Sequence, residues 1–118
     1  MTPALALLVA LGAAVGAPVR YAVGHRLDRD LPHRLPWGTL LVNLVGSLVL
    51  GTLVGAAVDG HAMALLGVGF CGGLTTYSSF AVQAVAAGGR RGAAYAVLSV
   101  GGCLLCATLG LSLVRALS

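Results

Sequence analysis

Apolar residues in this chain fall into long blocks rather than stripes or alternations. Four blocks cover roughly 3–23, 37–58, 62–88 and 92–114. A helix crossing the hydrocarbon of a bilayer needs about 20 apolar residues. Each block therefore predicts a spanning helix, and the chain reads as an all-α membrane protein of four transmembrane helices. The connections are short, so residues 1–118 read as a single transmembrane domain. The first block lacks the basic segment that opens a signal peptide, and it too reads as a span.

The third block is interrupted. Residues 69–83 read GFCGGLTTYSSFAVQ: two consecutive glycines, then the hydroxyl residues Thr75, Thr76, Tyr77, Ser78 and Ser79. Backbone groups left unpaired in hydrocarbon are costly, so a polar break inside a span is tolerated only against protein or a water-filled cavity. Such a break marks where an ion or substrate binds. The pattern predicts a third helix broken near Gly72–Thr75, with Tyr77, Phe80 and Gln83 sharing a face beyond the break.

The other blocks carry stripes at helical spacing. Thr39, Asn43, Ser47, Gly51 and Gly55 recur every four residues, giving the second helix one small-and-polar face. Ser47, Gly51 and Gly55, like Gly12 and Gly16 in the first block, form a small-xxx-small surface suited to close helix packing. Asn43 is different, because a primary amide in hydrocarbon needs partners or water. It reads either as a packed amide or as a residue of a pore. In the fourth block Tyr95, Ser99 and Cys103 form a track continued by Gly110, with back-bonding to the helix as the alternative. Arg20 closes the first span, where it either snorkels to the interface or serves an anion path.

Composition sharpens the picture. With 58% hydrophobic and 8% charged residues and a mean hydropathy of +0.99, a water-soluble domain is excluded. The net charge of +4 rests on seven arginines and no lysine. They flank spans, where they anchor and orient helices, so the charge gives no case for nucleic acid. Cys71, Cys103 and Cys106 lie inside spans and read as small buried hydrophobes rather than a metal site or disulfide. No Asp, Glu or Lys falls inside any block. A proton-coupled transporter needs a titratable group at depth, and Ser78 has no embedded base to activate it. Neither a proton antiporter nor an enzyme fits.

Three segments, GAAVGAPVRY (12–21), WGTLLVNLVGSLVLG (37–51) and GFCGGLTTYSSF (69–80), stand in the order and spacing of the Fluc/CrcB fluoride channels. The whole chain resembles that family. The resemblance implies four helices with a broken third, assembled as an antiparallel dimer with two pores. It implies a structural sodium ion (Na+) on the dimer axis, held by backbone carbonyls at the positions of Gly72 and Thr75. It matches Tyr77 and Phe80 to paired pore aromatics, with tyrosine where the family has phenylalanine. Asn43 matches a pore asparagine with Thr39 one turn before it, and Arg20 a vestibule arginine. Tyr95 and Ser99 match the start of a polar track in which Cys103 replaces a hydroxyl. The implied function is passive export of cytoplasmic fluoride across a bacterial inner membrane, giving fluoride resistance. The implied partners are fluoride, membrane lipid and a second subunit.

The residues agree with such a pore. A small hydrated anion must exchange water for hydrogen-bond donors, and amide and hydroxyl groups supply them without a full charge that would trap it. A small four-helix multidrug transporter would need an acidic residue in the first span, and 3–23 has none. A non-conducting subunit would have no use for Asn43 and the break. Six arginines (20, 26, 29, 34, 90 and 91) lie on the side of the first and third connections, and only Arg115 on the other. Positive charge favours the cytoplasm. This predicts one orientation with both termini outside, and favours an oppositely oriented paralogue over a second copy as partner.

Overall fold

The computed structural model describes residues 2–28 and 35–118. Arg29, Asp30, His33 and Arg34 of the first connection lie outside the described residues. The helices are α1 (Pro3–Leu27), α2 (Trp37–Gly55), α3 (60–74), α4 (Tyr77–Ala87) and α5 (Gly89–Leu117). Together α3 and α4 make the third span, so four helical spans are long and apolar enough to cross a membrane. Among the described residues there is no strand. The outermost helices overrun their apolar blocks, α1 to Leu27 and α5 from Gly89 to Leu117. Their polar ends continue the backbone ladder beyond the greasy core.

Local chemistry sets the ends. Thr2 caps α1, its hydroxyl accepting from the Leu5 N–H at 3.2 Å, and Pro3 takes the first position, where no N–H is needed. Between α4 and α5 the chain reverses through Gly88 and Gly89, with φ of 65° and 52°. Side-chain-bearing residues rarely adopt that left-handed region.

Helix α3 is not uniform. Gly60–Ala62 form an α turn, Met63–Cys71 a π-helical stretch, and Gly72–Leu74 an α turn again. The Gly72 N–H reaches back five residues to the Gly67 carbonyl. Wide turns of this kind are rare in helices and concentrate at functional sites.

Glycines bring the helices to backbone contact. A β-carbon added at Gly12 would run into the Leu65 carbonyl, and one at Gly16 into that of Phe70. From the facing side, a β-carbon at Gly69 would lie 2.7 Å from the Val9 oxygen, and one at Gly73 2.9 Å from the Ala13 Cα. So α1 and α3 meet through paired small-xxx-small faces. Helix α2 packs chiefly on α5. There Gly51 lies against Ala107, Gly55 within 2.8 Å of the Leu111 oxygen, and Gly110 within 2.6 Å of the Leu48 oxygen, all measured from an added β-carbon. Dispersion and close fit hold such interfaces, since lipid removes the usual hydrophobic drive between helices. The large side chains left outside, among them Leu7, Val15, Val82, Val85, Val97 and Leu104, are mostly exposed. Their place is in lipid or against a partner.

Candidate functional site

The third span opens at Thr75 and Thr76, two residues beyond the glycine pair. Gly72 and Gly73 remain helical, whereas Thr75 (φ −89°, ψ 161°) and Thr76 (φ −149°, ψ 125°) are extended. β-branched residues favour such a backbone, and each threonine repairs part of the gap. The Thr75 hydroxyl donates to the Cys71 carbonyl at 2.9 Å, alongside the Thr75 N–H at 3.0 Å. Thr76 is the N-cap of α4, its hydroxyl accepting from the Ser79 N–H at 3.2 Å.

Asn43 braces the opening from α2. Its Oδ1 accepts from the Thr76 N–H at 2.8 Å, and its Nδ2 donates to the Thr76 carbonyl at 3.0 Å. Because a backbone N–H only donates and a carbonyl only accepts, this pair fixes which way the amide points. The side chain is 9% exposed and keeps one N–H in reserve. Of the two readings left open in the sequence, the amide is first a strut, with one donor to spare.

Carbonyls at the break lose the donors that a continuous helix would supply, those of Gly72 and Thr75 among them. The regular partner of the Gly72 oxygen is the Thr76 N–H, which turns to Asn43. That of the Thr75 oxygen is the Ser79 N–H, which turns to the Thr76 hydroxyl. Among the described residues no three His, Cys, Asp or Glu side chains converge. A cation here would be held by neutral oxygens, a set that suits a hard ion such as sodium.

A cavity of about 430 Å³ adjoins the break, and Asn43, Gly72, Thr75, Tyr77, Phe80 and Ser99 all line it. Cys103, one turn beyond Ser99, is on the same wall, and among the described residues no charged one is. Ser99 is 3% exposed, and its enclosed hydroxyl meets no hydrogen-bond criterion among the described residues. Tyr77 and Phe80 have ring centroids 5.9 Å apart, tilted by 49°, and Tyr77 stands 79% exposed. Tyr95 lines neither this cavity nor its neighbour. It is fully buried, its ring 5.4 Å from that of Phe80, and its hydroxyl donates to the Gln83 side-chain oxygen at 3.3 Å. It therefore supports Phe80 from behind.

A second cavity of about 350 Å³ collects Arg20, Thr39 and Gln83, together with Asp28 and Ser79. Thr76 borders both cavities, so the break separates a chamber with no described charged residue in its wall from one whose wall carries both Arg20 and Asp28. Gln83, expected on one face with Tyr77 and Phe80, lines this cavity while they line the other. Asp28 was not singled out by sequence, yet its carboxylate binds the start of α2, accepting from the Gly38 N–H at 2.7 Å.

Comparison with known proteins fits this arrangement. A family model described as CrcB-like protein, Camphor Resistance (CrcB), matches residues 7–111. A protein of Rhodococcus jostii (strain RHA1), named fluoride-specific ion channel FluC 2, is 49% identical over 91% of this chain and 96% of its own length. One of Streptomyces avermitilis, named fluoride-specific ion channel FluC 1, is 42% identical over 94% of this chain and 96% of its own. One of Haloarcula marismortui, named fluoride-specific ion channel FluC 2, is 43% identical over 90% and 87%.

Proposed function

Because the chain belongs to the CrcB-like family, we propose that it is a fluoride-selective channel that lets cytoplasmic fluoride leave the cell passively. The observation that carries this reading is the cavity at the break, walled by Asn43, Phe80 and Ser99 with no charged residue among those described. Neutral donors on such a wall can take over from the water of a small anion without trapping it. The spare Asn43 N–H and the positive edge of the Phe80 ring add weak attraction. No formal charge holds the ion, so it can leave. Arg20, in the adjoining cavity, offers a cation at the mouth, offset in part by the Asp28 carboxylate on the same wall.

Sodium is proposed as a structural ion at the Gly72 and Thr75 carbonyls, whose helical donors are engaged elsewhere. When bound it would neutralise the ends of freed backbone dipoles; it takes no part in moving fluoride. A second, antiparallel subunit is proposed to cover this side of the chain. Gly72 and Tyr77 are both exposed on the cavity wall, and an added β-carbon on Gly72 meets nothing within 4 Å. The chain is a multi-pass membrane protein, and we place it in the bacterial inner membrane. The arginine bias favours one orientation and hence a paralogue as the partner. Matched activity of cytoplasmic and periplasmic reporters at the C-terminus would overturn that part.

The test is anion efflux from liposomes holding the purified protein, alone and with any paralogue. Fluoride flux with little chloride flux is expected. Chloride flux comparable to fluoride flux would refute the reading.

A further inference from the structure

The start of α2 has no cap of its own. Its N-cap residue is Pro36, which offers no side-chain acceptor, and its first turn contains no acidic residue. Helix N-termini carry unsatisfied N–H groups and a partial positive charge, and so attract anions. Here the amides are already taken. The carboxylate of Asp28, at the C-terminal end of α1, accepts from the Gly38 N–H at 2.7 Å through Oδ1. Through Oδ2 it accepts from the Thr39 N–H at 3.3 Å and the Thr39 hydroxyl at 3.4 Å. The fit is close: a β-carbon at residue 38 would lie 3.0 Å from Asp28 Oδ2. Asp28 is itself anchored, its N–H donating to the Gly24 carbonyl at 2.8 Å.

This contact forms part of the wall of the second cavity, which also holds Arg20, Thr39 and Thr76. Without Asp28, the cavity would offer a mobile anion two amides, a hydroxyl and a guanidinium. That combination suits a binding site, whereas a channel mouth must release what it attracts.

We infer that Asp28 is a positioning residue that acts as a tethered anion. It occupies the N-terminus of α2 and the Thr39 hydroxyl, so that fluoride passes the mouth without being held there. The inference rests on the fluoride-channel reading and adds to it a residue that sets how tightly the mouth binds its ion. A residue that only joined α1 to α2 would change how much channel folds or how fast each one conducts, not the fluoride concentration at which flux saturates.

The experiment measures initial fluoride efflux from liposomes over a range of fluoride concentrations, for the full chain and for Asp28→Ala and Asp28→Asn. In Asp28→Ala the half-saturating concentration should fall roughly two- to fivefold, the worth of an anion at a helix N-terminus, and the maximal rate should fall with it. Asp28→Asn is neutral but keeps an acceptor for the Gly38 N–H, so its shift should be smaller and in the same direction. If Asp28→Ala does not fold, the asparagine variant decides alone. An unchanged half-saturation in the folded variants, with only the rate or yield reduced, overturns the inference. Absence of fluoride flux in the unaltered chain would instead refute the channel reading.

Discussion

Replacing Asn43 with alanine removes both partners of one backbone residue at once. Thr76 then has an N–H and a carbonyl without the hydrogen bonds of 2.8 and 3.0 Å that now satisfy them. Each orphaned group costs about 1–3 kcal/mol when buried, so a dry site would lose about 2–6 kcal/mol. Two effects reduce this. The unfolded chain in a membrane also finds partners, which lowers interhelical hydrogen bonds to an average of about 0.6 kcal/mol each. Water entering from the adjoining cavity would also restore part of the loss. The sum stays above about 1 kcal/mol in either case, because two bonds go together. The change is read by reversible unfolding of the detergent-solubilised protein, with fluoride flux measured on the same preparation. Flux should fall at least tenfold, since Thr76 also caps α4 and so sets the height of Tyr77 and Phe80. If Asn43→Ala unfolds within about 0.5 kcal/mol of the unaltered chain, Asn43 is not a strut and the account of the break is wrong.

The remaining predictions probe other contacts around the same break. Phe80→Ile should abolish fluoride flux while the chain stays folded, because it removes the ring edge and keeps the bulk; normal flux would reduce Phe80 to packing. Tyr77→Phe should conduct, since the Tyr77 ring is mostly exposed and no ladder depends on its hydroxyl; loss of flux would give that hydroxyl a role. Gly46→Ala should destabilise by about 1–3 kcal/mol, because its methyl would meet the Thr75 methyl. Adding Thr75→Ser, which keeps the hydroxyl bond to Cys71, should recover most of that; strict additivity in a double-mutant cycle would contradict the contact. Gly72→Val meets no clash within one chain. Any failure should therefore appear in size analysis as loss of the proposed dimer, and an unaltered dimer would argue against a close approach there.

Much of this architecture could be read from the chain because its determinants are local. Length of apolar block decides whether a helix spans, and the four spans follow from that alone. Glycine spacing announced close-packing faces at Gly12 and Gly16 and at Gly51 and Gly55, but not the helices they meet, α3 and α5. The break was legible as a place but not as a geometry. Gly72 and Gly73 stay helical despite their freedom, and Thr75 and Thr76 open instead, because Asn43 competes for the Thr76 backbone from 33 residues away. No spacing rule encodes that pairing. Nor does one tie Asp28 to Gly38 across a proline-containing connection, or turn Tyr95 inward onto Phe80 and Gln83. The π-helical stretch at Met63–Cys71 likewise has no sequence signature beyond its glycines.

The spans differ in length, and that gives the molecule a preference about the bilayer it sits in. At 1.5 Å per residue, the 19 residues of α2 cover about 28 Å, while the 29 of α5 cover about 43 Å. Hydrocarbon is about 30 Å thick. The short helix carries Thr39 and Asn43, so the walls of the two cavities have no length to spare, while α5 has about 13 Å to tilt or to send into the headgroups. A thicker membrane would cover the mouth before it strained the longer helices. Acyl-chain length then becomes a control on access to the path, exerted by the lipid and felt first at the start of α2.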